Sequence, residues 1–139
     1  MRLIACFAAV LLSVQLSGQE KKVQVKQVPP SVTNPTSGAD MFKAYCASCH
    51  GLKAKGDGPA VPALKSKPPD LTMMAKANAG QFPSMKIYNS IEGDSMMPAH
   101  GSKDMPVWGD VFRSMSRDEG TRRMRLHNLT KYLESLQAK

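Results

Sequence analysis

Residues 41–60 read "MFKAYCASCHGLKAKGDGPA". Cys46 and Cys49 stand three apart, and His50 follows the second cysteine directly. Three chemistries use such a cluster. Thiol–disulfide exchange wants the C-x-x-C at the opening of a helix that follows a strand. Here the motif closes a helix-favouring stretch, and no strand pattern precedes it. Zinc wants four ligands, and the other two histidines, His100 and His127, match no finger spacing. C-x-x-C-H is the attachment sequence for c-type haem. On a helical turn Cys46 and Cys49 are i, i+3 and Cys46 and His50 are i, i+4, so all three share one side. Both sulfurs can then form thioethers with the porphyrin vinyl groups while His50 reaches iron from the same face. One covalently held haem c is the expected cofactor.

The second axial position decides what such an iron does. A strong ligand closes it for electron transfer, whereas an open position admits gases or peroxide. Methionine sulfur raises the potential relative to a second histidine. Of the ten methionines, Met41 is too close to the motif and Met73, Met74 and Met85 come early. Met115 and Met124 fall on or near the last helical segment and read as core filler. Met96, Met97 and Met105 remain. Met97 and Met105 each precede proline, which restricts them to extended backbone and stiffens the loop. Pattern alone leaves these two open, with His100 as the rival ligand and His127 on an exposed charged helix.

The elements that must position these groups are few. Ser37–Cys49 favours helix, with Ser37 as the cap. Residues 51–72 are loop, broken by Pro59, Pro62, Pro68 and Pro69. Residues 84–92 suit a short helix with Met85, Tyr88 and Ile91 near one face. Residues 93–110 read as loop again, with three glycines and two prolines. Residues 116–137 carry an apolar stripe of Leu126, Leu129, Leu133 and Leu136, with Asp118 and Glu119 in the first turn. No β-alternation and no repeat appears. The expected fold class is all-α, with few helices, long loops and a buried cofactor supplying the apolar centre.

Residues 1–18 begin with Arg2 and an apolar run from Leu3 to Val14, the pattern of a secretory signal. The run is short of the about 18 residues that a membrane span needs. The cleavage site is poor, so an uncleaved anchor is the alternative. Residues 19–36 are polar, hold three prolines and read as an extended linker. The folded domain is expected over 37–139. The chain carries +8, or +7 without residues 1–18, which favours acidic protein partners or anionic surfaces. An exported chain is a poor nucleic-acid binder. Outside the signal only Cys46 and Cys49 remain, too little for a structural disulfide framework.

The segments "GADMFKAYCASCHGLKAKGDGPA", "KPPDLT", "AHGSKDMPVWGDVF" and "LTKYLESL" resemble class I c-type cytochromes, in particular bacterial monohaem domains. The resemblance spans roughly Gly38 to Leu136. It implies the cytochrome c fold: an N-terminal helix, with Gly38, Phe42 and Tyr45 on its crossing face, against a C-terminal helix with Leu129, Tyr132 and Leu133. It implies that the Pro59 carbonyl (Pro62 being the alternative) accepts from the His50 ring N–H, fixing its tautomer. It implies Met105 as the distal ligand, since Met105 precedes "PVWG", while Met97 is an extra Met-Pro. Trp108 would lie against the haem edge or a propionate, or else cap the loop as a core aromatic.

The function so implied is a monomeric carrier of single electrons, cycling Fe(III)/Fe(II) without binding substrate, and so not an enzyme in itself. Its place would be the periplasm or the exported side of the inner membrane, free or tethered by its N-terminus. Its partners would be acidic redox proteins or a membrane oxidase or dehydrogenase, met through lysines such as Lys53, Lys55, Lys65 or Lys67. A haem module of a dehydrogenase or oxidase complex is the second reading. A five-coordinate sensor or peroxidase is the third.

Overall fold

The computed structural model describes residues 29–93 and 105–138. The signal segment, most of the linker, and Met96, Met97 and His100 lie outside the described residues. Among the described residues every regular element is helical, as expected.

The first helical stretch has three parts: α1 (Gly38–Met41), a π turn (Phe42–Cys46) and α2 (Ala47–His50). Ser37 caps it, its hydroxyl accepting from the Asp40 N–H at 3.2 Å, as its residue type predicts. The π turn was not foreseen. It matters because consecutive side chains on a plain α-helix diverge by about 100°. Tyr45 and Cys46, consecutive in this turn, nonetheless both line the same cleft.

Helix α3 (Ser84–Glu92) has the expected bounds but a different buried face. Ile87 and Ile91 are buried, whereas Met85 is exposed. The i, i+4 spacing of Ile87 and Ile91 keeps both on the core side, and that turns Met85 out. Helix α4 (Trp108–Met115) corrects the reading of residues 93–110 as loop throughout. Pro106 and Gly109 looked like breakers. Pro106 lies before the helix. Gly109 sits in its first turn, buried at a close approach to α3. Helix α5 (Glu119–Ser135) is capped by Asp118, whose carboxylate accepts from the Gly120 and Thr121 N–H groups.

Helices α1 and α5 cross at Gly38. A Cβ there would lie 2.2 Å from the Asn128 carbonyl oxygen and 2.7 Å from the Tyr132 Cβ, so only glycine lets the helices approach so closely. Phe42 packs on Tyr132 with ring centroids 5.5 Å apart. Leu126, Leu129 and Leu133 are buried beneath them, each contributing about 1.5–3 kcal/mol by burial. Leu136, the last of the stripe, is half-buried. The expected crossing of first and last helices is therefore present.

Residues 31–36 carry no regular helix, as a linker would, yet they are fastened to the domain. Tyr45 donates to the Ser31 carbonyl at 2.7 Å. Arg125, buried against the Phe112 ring, donates to the Thr33 carbonyl at 2.8 Å. Asn128 donates to the Pro35 carbonyl at 2.9 Å. The chain's ordered contacts thus begin before Ser37.

Candidate cofactor site

Cys46, Cys49 and His50 emerge at the end of the first helical stretch. Gly51, with φ of 78°, ends it, a conformation that side chains disfavour. The loop that follows folds back onto the helix end. Gly56, Gly58 and Ala60 donate to the carbonyls of His50, Cys49 and Ser48 at 2.9, 3.1 and 2.9 Å. The carbonyls a helix end leaves unsatisfied are thereby paired, and the backbone under the motif is held. Ala54 is fully buried in this loop, and its carbonyl accepts from the Leu71 N–H at 2.8 Å. The loop is thus irregular in secondary structure but tied to its surroundings.

The motif opens into a cleft with two lobes. The outer lobe encloses about 620 Å³ of empty space, part of it open to solvent. It is lined by Tyr45, Cys46, Cys49, His50, Leu64, Ser66, Lys67, Pro68, Pro69, Met105, Pro106 and Trp108. The inner lobe, about 410 Å³, is lined by Phe42, Cys46, His50, Leu71, Ile87, Ser90, Ile91, Met105, Leu129 and Leu133. His50, Cys46 and Met105 border both lobes. The inner walls are almost wholly apolar. The residues present therefore fit a haem: two thiols and an imidazole on one wall, a thioether at the boundary, and hydrophobic surface around.

Cys46 and Cys49 carry no disulfide. Burial first, and then the neighbouring Cys49, push the Cys46 thiol up to about 12. Such a thiol is neutral near pH 7, unlike the depressed cysteines of redox enzymes. The aromatic wall is continuous. Trp108 is buried, with its ring centroid 5.2 Å from that of Tyr45 and 5.8 Å from that of Phe112. Trp108 thus lines the cleft and also packs in the core.

Of the other expected residues, Pro59 is exposed and lines neither lobe. His127 is exposed on α5, as its charged neighbours suggested. Lys53, Lys55, Lys65 and Lys67 are all exposed, and Lys67 borders the outer lobe. The sequence reading missed Tyr45 as a cleft wall, because the π turn that carries it has no simple signature. It also missed Leu71, Ile87 and Ile91 in the inner lobe. The isoleucines' own spacing was the available signal. No described helix is long and apolar enough to cross a membrane.

An all-α, loop-rich shell around a C-x-x-C-H motif and an apolar cleft defines a c-type cytochrome domain, which serves haem-based electron transfer. Residues 33–119, more than half of the chain, match the family described as "Cytochrome C oxidase, cbb3-type, subunit III", and the chain belongs to that family. Neither the curated proteins nor the solved structures contain a match to it.

Proposed function

We propose that the protein is a monohaem electron carrier in which one haem c occupies the two-lobed cleft. Cys46 and Cys49 would hold it through thioethers, His50 would be the proximal iron ligand and Met105 the distal one. Met97 stands as the alternative from its Met-Pro sequence. The group supplies one-electron cycling between Fe(III) and Fe(II). The protein's part is to fix both axial donors, to exclude water with apolar walls and to leave one edge near solvent. The observation that carries this reading is that His50 and Met105 border both lobes of one cleft.

Pro59 belongs to the loop whose backbone is bonded to Ser48 and Cys49. That proximity supports its carbonyl as the acceptor for the His50 ring N–H, the partner that would make His50 a firmer ligand. Trp108 and Lys67, both on the outer lobe, support a haem contact by the former. The exposed Lys53, Lys55, Lys65 and Lys67 suit an acidic redox partner, with weak docking that salt would loosen. Family membership favours a membrane oxidase among the partners, and with it the second reading, a haem module within such a complex. Either role places the domain on the periplasmic or exported side.

The test is spectroscopic. Methionine sulfur gives ferric haem a weak long-wavelength absorption band. The purified, haem-loaded protein should show it and should bind carbon monoxide slowly when reduced. Absence of the band together with rapid carbon monoxide binding would replace the carrier by a five-coordinate sensor or peroxidase. Co-purification with oxidase subunits would favour the module over the free carrier.

A further inference from the structure

Met105 reaches the cleft from a short stem, and the residues that seat this stem belong to three different helices. Helix α3 ends at Glu92 and Gly93, and α4 begins at Trp108 after Val107. The two ends are pressed together. A Cβ at Gly93 would meet Val107 Cγ1 at 2.3 Å, and one at Gly109 would meet the Glu92 carbonyl oxygen at 2.4 Å and Glu92 Cγ at 3.2 Å. Neither position leaves room for a side chain, and Gly93 also has a φ of 96°. The seat of the stem is therefore the C-terminal turn of α3, and chiefly Glu92.

Glu92 is in turn held from α5. Its carboxylate accepts from Arg122 Nη1, and both side chains are nearly buried, 14% and 10% exposed. Arg122 also donates from Nε to Glu119 at 2.9 Å and from Nη2 to the same carboxylate. The bonds to both carboxylates raise the guanidinium's pKa further above its ordinary value. A long fork with five donors suits such bridging. The Glu119 contact lies within one helix, whereas the Glu92 contact joins α5 to α3. Only the latter bears on the stem.

We infer that Arg122 and Glu92 are positioning residues for the methionine: their ion pair locks the seat on which the Val107–Gly109 stem rests, and so sets how firmly Met105 is presented to the iron. The inference rests on Met105 being the distal ligand. Ligand firmness is an equilibrium between a bound and a displaced thioether. A locked seat favours the bound state, because displacement needs the stem to shift. Loosening the seat lets an external donor compete. The same pair stabilises the fold, so the decisive readout must be ligand competition and not stability.

The experiment titrates the oxidised, haem-loaded protein with imidazole and follows loss of the methionine band. Arg122→Gln should raise the imidazole affinity by about tenfold, a shift of about 1.4 kcal/mol. Glu92→Gln should move it in the same direction by less, because an amide still accepts from the guanidinium. Arg122→Lys, which keeps a cation opposite Glu92, should recover most of the parent behaviour. Glu119→Gln, which removes only the contact within α5, should match the parent. Parent-like affinity in both Arg122→Gln and Glu92→Gln, even with a lower unfolding midpoint, would reduce the pair to fold stabilisation. Should Arg122→Gln fail to fold, Glu92→Gln alone decides on the same criterion. Met105→Ala identifies the other failure: if it keeps the methionine band, the ligand assignment itself falls.

Discussion

His50 and Met105 border both lobes of the same cleft, although one closes the first helical stretch and the other precedes α4. A side chain that lines only one lobe would wall a ring on one side. Two donors that border both lobes are placed to meet one ring there. This relationship turns a cofactor attachment motif into a candidate electron-transfer centre.

Met105→Ala should abolish the methionine band of the oxidised protein and lower the reduction potential, since loss of the thioether removes preference for ferrous iron. Met97→Ala should leave both unchanged. Visible spectra and a redox titration of the two variants check this. Loss of the band in Met97→Ala alone would move the ligand there.

Replacing both Cys46 and Cys49 by alanine should leave any bound haem extractable by acidified solvent, and haem staining on a denaturing gel should vanish. Each single replacement should retain one thioether and therefore stain. The spectrum of the pyridine complex should shift with each vinyl group left unsaturated.

Gly38→Ala should destabilise the fold by about 1–3 kcal/mol, the range for forcing atoms into a filled contact. The added methyl would meet backbone at Asn128 as well as Tyr132, and backbone has little freedom to yield. Denaturant unfolding followed by far-UV dichroism gives the value. The potential of the folded fraction should stay near the parent's, because Gly38 itself lines neither lobe.

Acid should remove part of the stability through the start of α5. Glu119 is drawn down from 4.5 to about 2, first by its hydrogen bonds from Arg122 and then by Arg123. Asp118 is also lowered, first by the Thr121 hydroxyl and then by the Thr121 and Gly120 N–H groups. A group whose folded value is depressed binds more protons when unfolded. Its contribution is therefore complete above about 4.5 and is lost as the pH falls through about 2. The stability difference between parent and Glu119→Gln should accordingly narrow across that window, measured by denaturant unfolding at successive pH values. A constant difference would contradict it.

Tyr45→Phe should release residues 31–36. It removes the bonds to Ser31 and Thr33, at about 1 kcal/mol net, while keeping the ring against Trp108. Limited proteolysis should cut this segment faster in the variant, with the visible spectrum unchanged.

The cofactor class was legible early because C-x-x-C-H is a local motif: its geometry depends on one helical turn. The crossing of first and last helices came from the resemblance to class I c-type cytochromes, which placed Gly38 and Phe42 against Leu129 and Leu133. Helix α4 was not legible, because Gly109 reads as a breaker until Glu92 is seen against it. Nor was the buried face of α3, where both Met85 and Ile87 suit a core and packing against α4 and α5 chooses between them.

By itself, then, the sequence determined the cofactor class and the all-α character, and it placed Cys46, Cys49 and His50 in one local motif, all properties of short stretches of chain. Among the described residues, tertiary structure brought Met105 to both lobes, chose the aromatic rings that wall the cleft and fixed what holds the stem of α4. Those depend on distances between segments remote in sequence. Such distances follow from packing of the whole chain, which no local spacing encodes.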